Sequence, residues 1–272
     1  MDLVQIIEKE KARIGSGLPR HEHLSLSLIF FAAALLLAVP SFAQSGNTIN
    51  QSFNKSKKTL LHEVYDEHRQ TFYCKSEFTS QGKVTHTNGY QPRKEGARAY
   101  RLEWEHIVPA HAFGQSFPEW RKGHPECVDS KGKPFKGRNC AQKVNVLFRY
   151  MQADMHNLVP AIGELNGLRS NYSFAMIPGQ NHEFGACEIK IEDRKAEPPP
   201  DVRGDIARTY FYMDFAYPGR GVISNKNRKL YQVWNTADPV DEWECKRSKK
   251  VEALQGNKNP FVKSACQDAG MW

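Results

Sequence analysis

The sequence contains no Cys-x-x-Cys pair, and its cysteines and histidines never fall at finger spacing, which excludes the usual structural zinc sites. No segment repeats, so solenoid and propeller architectures are excluded as well. No boundary marks a second domain. Acid is scarce: 30 Asp and Glu stand against 38 Lys and Arg, a net charge of +8. An excess of that size favours anionic partners, nucleic acid or a membrane surface. Between Ser130 and Tyr150 acid is absent altogether, while Lys131, Lys133, Lys136, Arg138, Lys143 and Arg149 fall there.

Charge is missing from Leu24 to Ala43. Within it, Leu28–Val39 is an apolar run of signal-peptide length, too short to span a bilayer comfortably. Ser41-Phe42-Ala43 supplies small residues at the two positions a signal peptidase reads. Residues 1–43 are therefore expected to be a signal peptide with an extended N-terminal segment, the alternative being an uncleaved anchor. Cleavage leaves 229 residues, one domain's worth, expected as a single domain over 44–272. It removes four basic and four acidic residues, so the excess of +8 is kept. All six cysteines lie beyond it, and an even number behind an export signal reads as disulfides in an oxidising compartment.

Apolar residues at Leu60, Leu61, Val64, Tyr65 and Phe72 predict a helix over 55–72. Short strands and turns are expected from Cys74 to Gly89, and a strand over Arg98–His106. The segment from Ala112 to Cys140 reads as a long turn-rich excursion, of the kind that is functional or cross-linked. Helical spacing resumes over Val144–Met155, and Val159-Pro160 suits the opening turn of another helix. Cys187–Ile191 alternates like an edge strand, and Pro198–Pro200 reads as a stiff linker. Helices are expected at Arg203–Phe215, around Leu230–Trp234, and over Pro239–Leu254 with Asp238 as N-cap and Gly256 beyond its end. The class is α+β with helices dominant.

The chemistry centres on Arg101–Ala110, which sets Glu105 beside His106. A neutral imidazole can take a proton from water near pH 7, and a carboxylate can hold a hard cation. Adjacent strand residues point to opposite faces, so serving one site requires the strand to bend or end here. Pro109 makes that plausible.

Several blocks resemble the bacterial endonuclease I family of periplasmic and secreted nucleases, which carry a ββα-metal (His-Me finger) site. They are Phe72-Tyr-Cys74, Glu103-Trp-Glu-His-Ile-Val-Pro-Ala110, Met155-His-Asn-Leu-Val-Pro160, Ala196-Glu-Pro-Pro199, Arg203–Met213, Trp243-Glu-Cys245 and Gln255–Phe261. The resemblance spans roughly residues 50 to 270. It implies a sequence-nonspecific, metal-dependent endonuclease cutting DNA and RNA, a monomer in the periplasm or outside the cell, with no stable membrane association after cleavage. It also implies His106 as general base, one Mg²⁺ held by Glu105 and Asn157, and Arg138 on the scissile phosphate. Asn157 reads otherwise as a helix cap. The basic run Lys131, Lys133, Lys136, Arg138 and Lys143 is expected to bind nucleic-acid phosphates, against the alternative of a solvated face. His156 orients the site or simply packs, and His62, His111 and His124 are expected at the surface without a role.

Six cysteines allow fifteen pairings. Relatives often carry a further cysteine pair, and those positions here are Ser76 and Asn88; their joint absence argues that they pair with each other. Cys127 and Cys140 flank the basic loop, and Cys245 and Cys266 bracket the terminal helix. Cys74 is left to Cys187. Two other readings are a basic protein that binds nucleic acid without cutting it, and a metal-dependent hydrolase of another phosphate ester.

Overall fold

The residue before the first turn caps half of the α-helices with its side chain in the computed structural model, which describes residues 46–180 and 183–272. The expected signal peptide lies outside the described residues. Ser52 accepts from Lys55 N and opens α1 (Phe53–Thr59), which runs on into one wider turn, Leu60–Val64. The helix expected to reach Phe72 ends there, and the chain returns through turns and isolated bridges. β1 (Leu102–His106) follows, starting four residues later than expected. Two short helices, α2 (Ala110–Gly114) and α3 (Pro118–Lys122), occupy the start of the turn-rich excursion.

The helix expected over Val144–Met155 is the shorter α5 (Val146–Gln152), and a further helix, α4 (Arg138–Val144), precedes it in what reads from the sequence as turn-rich excursion. The break is at Asn145, in extended conformation, whose side chain accepts from Phe148 N and caps α5. A 3₁₀ turn, Met155–Asn157, leads into β2 (Leu158–Ile162). The expectation that Val159-Pro160 opens a helix is therefore corrected. Proline is tolerated where a strand has no ladder hydrogen bond to give, and β1 and β2 form a sheet of only two strands. Pro160 lies opposite Trp104, and its carbonyl accepts Phe72 N–H at 2.7 Å. The helix starts later, as α6 (Gly163–Arg169).

β3 (Ser173–Phe174), β4 (Lys190–Glu192) and β5 (Lys195–Glu197) make a small sheet in the order β3-β5-β4, with β4 at an edge. Only Lys190 and Ile191 of the expected edge strand belong to it. Pro198 and Pro199 are buried, so this stretch is part of the body and not a spacer. α7 (Arg203–Ala216) is the central helix, with Ile206, Ala207, Tyr210 and Met213 in the core. It packs on α8 (Asn225–Ala237), and α9 (Glu242–Gln255) and α10 (Pro260–Asp268) follow.

The start of α9 also differs from expectation. Asp241, not Asp238, caps it, accepting Glu244 N at 2.7 Å. Asp238 is used elsewhere: its Oδ2 accepts Gly204 N at 2.7 Å and so caps α7. Gly256 ends α9 in the left-handed region (φ 78°), as expected of a glycine there. Three disulfides cross-link the chain: Cys74–Cys187, Cys127–Cys140 and Cys245–Cys266, with Cα–Cα distances of 5.0, 5.4 and 5.8 Å. Asn88, at one of the two positions where relatives carry a further cysteine, donates to Lys75 O at 2.8 Å.

Candidate active site

A cavity of about 1280 Å³ opens beside β1, lined by Glu103, Glu105, His106, Arg138 and Asn166 among others. The end of β1 brings Glu105 and His106 to it together. Pairing with β2 runs from Leu102↔Ile162 to His106↔Leu158 and then stops. Beyond it, Asn157 grips the chain, its Oδ1 accepting Val108 N at 2.8 Å and its Nδ2 donating to Val108 O at 3.0 Å.

His106 is 8% exposed, and its Nε2 lies 2.9 Å from the Gln152 carbonyl. Its ring packs against Phe53, centroids 4.9 Å apart. Burial, with the charge of Arg138 added, holds the imidazole down at about 3, so it is neutral at any pH near 7. Arg138, at the first position of α4, donates from Nε to Gln152 Oε1 at 3.3 Å and lies over the Phe53 ring at 5.4 Å. Burial pulls its own value down. Gln152 thus holds both groups, one through its backbone and one through its side chain.

Glu105 is 1% exposed. Its Oε1 accepts from Arg169 Nη1 at 2.8 Å and from the Tyr73 hydroxyl at 3.3 Å. Burial lifts its carboxyl to about 7, against the pull of Arg169. Among the described residues Oε2 accepts no hydrogen bond. Glu103, two residues earlier and on the same strand face, is opposed by burial but held at about 2 by hydrogen bonds from Arg98, Arg101 and Asn166.

Among the described residues, no three His, Cys, Asp or Glu side chains converge as a ligand group. Two carboxylates line the cavity: Glu103, committed to Arg98, Arg101 and Asn166, and Glu105, whose Oε2 is open. Of the carboxamides that line it (Asn54, Gln81, Asn166 and Asn171), Asn166 is bonded to β1: it donates Nδ2 to Glu103 Oε2 at 2.8 Å and leaves Oδ1 without a donor among the described residues. Asn157, named from the sequence for this part, is 0% exposed, does not line the cavity, and uses both ends of its amide on Val108.

The expected phosphate-binding lysines are also placed elsewhere. Lys131, Lys133 and Lys136 are exposed on the loop closed by Cys127–Cys140, and none lines the cavity. Lys143 turns back to donate to Glu126 O at 2.6 Å. The basic side chains at the rim are Lys57, Lys58, Arg98 and Arg101, with Arg138 inside. Sequence reasoning passed over the four rim groups. The signal was present in part, since Phe53 and Lys57 are one helical turn apart and Lys57 Nζ sits 5.0 Å from the Phe53 ring. His156 packs, donating its Nε2 hydrogen to Asn257 O at 3.0 Å with its ring on Tyr212. His62, His111 and His124 are exposed, and His111 lies at the cavity edge.

A neutral imidazole, a carboxylate with one free oxygen and a half-buried arginine inside a basic rim suit hydrolysis of an anionic ester. The sequence profile of the endonuclease I family matches residues 42–266. An extracellular deoxyribonuclease of Aeromonas hydrophila is 38% identical over 248 residues, 88% of this chain and 98% of its own. A periplasmic deoxyribonuclease of the same organism is 38% identical over 251 residues, 90% and 97%. An extracellular ribonuclease of Bacillus subtilis is 33% identical over 167 residues, 53% and 48%. The protein is an endonuclease. It belongs to the endonuclease I family.

Proposed function

We propose that residues 44–272 form a periplasmic or secreted nuclease that hydrolyses phosphodiester bonds in DNA and RNA without sequence preference, with His106 as general base. One observation carries this reading: Glu105, His106, Arg138 and Asn166 share one cavity with basic residues at its rim. The names of the relatives, two deoxyribonucleases and a ribonuclease, support both substrates.

A carbonyl can only accept, so His106 Nε2 carries a hydrogen and Nδ1 holds the lone pair. Nδ1 is the atom that takes a proton from the attacking water. Arg138 binds a phosphate oxygen and offsets charge as the transition state forms. Phosphate on Arg138 also screens the charge that depresses His106, which strengthens the base when substrate is present. Lys57, Lys58, Arg98 and Arg101 bind flanking phosphates irrespective of base.

The residues present fit a single Mg²⁺, with Glu105 Oε2 and Asn166 Oδ1 as protein ligands and the remaining positions left to water and phosphate. Bound there, the cation would supply charge neutralisation on the phosphate and on the leaving oxygen. The assignment of Asn157 to this ligand set is replaced by Asn166. Asn157 holds the turn after β1, and reaching a cation would break its two bonds to Val108. With β1 and β2 antiparallel and α6 immediately after, the arrangement is read as a ββα-metal site.

The test is cleavage of supercoiled plasmid and of a structured RNA, each with and without EDTA, by the wild type and His106→Ala. Cleavage of both by the wild type, abolished by EDTA and by the substitution, is expected. Binding without cleavage would instead support a degenerate nucleic-acid-binding protein.

A further inference from the structure

Glu105 and His106 would face opposite ways on a regular strand, yet both reach one cavity. The group that manages the end of β1 is Arg169, which is wholly buried. We infer that Arg169 is the positioning residue of this site: its guanidinium makes Glu105 a one-oxygen ligand and holds the turn that carries His106. The inference rests on the reading of Glu105 as a cation ligand.

Three consecutive residues are gripped by one planar group. Nη1 donates to Glu105 Oε1 and to His106 O, each at 2.8 Å, and Nη2 donates to Ile107 O at 2.8 Å. The carbonyls of His106 and Ile107 lie where the ladder with β2 runs out, so the guanidinium satisfies them as the strand ends. The Phe174 ring lies 4.4 Å from the guanidinium. A lysine has the charge but not the planar fork that spans these acceptors.

The consequence for Glu105 is geometric. Arg169 and the Tyr73 hydroxyl both engage Oε1, which leaves Oε2 to the cavity. A carboxylate tied in this way is a monodentate ligand, as Mg²⁺ with its near-octahedral shell requires, whereas Ca²⁺ often takes both oxygens. The ion pair is buried on both sides, 1% and 2% exposed at the side chains, so the charge of Glu105 is supported from behind and not by solvent. Asn166 lies one turn before Arg169 on α6 and reaches Glu103, as Arg169 reaches Glu105. One helix face therefore orients both acids of β1.

The experiment is calorimetric titration of the exported protein with MnCl₂ and MgCl₂, in the absence of nucleic acid, for wild type, Glu105→Ala, Arg169→Lys and Arg169→Met. Each is measured well below its own melting temperature, and KM for plasmid DNA is measured at saturating metal. Glu105→Ala should lose binding. Both Arg169 variants should bind the ions about 10- to 100-fold more weakly, the range for removing an outer-shell partner. KM should stay within about twofold, because Arg169 does not touch the substrate. If Glu105→Ala binds Mn²⁺ like the wild type, the reading of the site itself fails. If Glu105→Ala loses the ion while Arg169→Lys keeps wild-type affinity, only the role of Arg169 fails. Should the Arg169 variants not fold, a structure of the wild type with Mn²⁺ decides. Arg169 on Oε1 with the ion on Oε2 alone supports the inference; a bidentate carboxylate, or one swung away from Arg169, overturns it.

Discussion

His106 donates its Nε2 proton to the backbone carbonyl of Gln152 across 2.9 Å. The tautomer of the imidazole is thereby set by a group that no side-chain substitution removes. The same residue accepts Arg138 Nε on its side chain, and the Phe53 ring lies against both His106 and Arg138. The imidazole and the arginine are thus fixed relative to each other before substrate arrives, which is the preorganisation that lowers reorganisation during reaction.

Replacing His106 by Ala should lower the cleavage rate by about two orders of magnitude or more while nucleic-acid binding and folding stay nearly intact. Single-turnover rates on plasmid, with binding measured separately in EDTA, give both quantities. A rate within a few-fold of wild type would remove His106 from the mechanism.

The two asparagines should separate. Asn166→Ala should raise the Mg²⁺ concentration for half-maximal activity or abolish activity, with little change in melting temperature, since its side chain is only half-buried. Asn157→Ala should leave Val108 N and O unpaired and cost about 1–3 kcal/mol of stability. Its Mg²⁺ requirement, measured while folded, should be that of the wild type. The reverse outcome would restore Asn157 as the ligand.

Salt dependence of DNA binding distinguishes the two basic surfaces. Neutralising Lys57 and Lys58 should reduce the log–log slope by about 0.9 for each phosphate left without its cation. Neutralising Lys131, Lys133 and Lys136 together should leave it unchanged, because none of them lines the cavity. A flatter slope in the triple variant would show that nucleic acid reaches the disulfide-closed loop.

The two buried histidines should cost stability below neutral pH. Burial lowers both His106, to about 3, and His156, so each stays neutral in the fold while the unfolded chain takes up a proton near about 6.5. At these two sites the unfolded state binds more protons, so their contribution declines as pH falls below about 6.5. Glu105, lifted to about 7, takes up its proton first in the fold and offsets about one histidine's slope down to about 4.5. Each histidine adds a slope of up to about 1.4 kcal/mol per pH unit. Urea melts between pH 7 and 4 measure it, and His156→Gln should flatten the curve by one histidine's worth. An unchanged slope would remove His156 from the account.

Much was legible in local chemistry. The Glu105-His106 pair, the helix at Arg203 and the Gly256 stop follow from residue type and spacing, where neighbours in sequence decide the outcome. The disulfide pairs were legible from what the cysteines flank, Cys127 and Cys140 the basic loop and Cys245 and Cys266 the terminal helix, which left Cys74 to Cys187. Family resemblance in the Met155–Pro160 block pointed to the stretch that forms β2, but to a carboxamide that the fold spends on Val108. Asn157 and Asn166 have the same side chain, and which one meets the cavity depends on where β2 ends and α6 begins. Pro160 hid that boundary, because a proline serves a helix start and an edge strand equally well until the partner strand is known. The basic run at Lys131–Lys136 was conspicuous in sequence, yet charge density along a chain does not say which side chains face a cleft. Arg169 shows the same limit most sharply. Its type and its helix were readable, but its three acceptors lie 62 to 64 residues away, and only long-range packing brings that guanidinium under the end of β1.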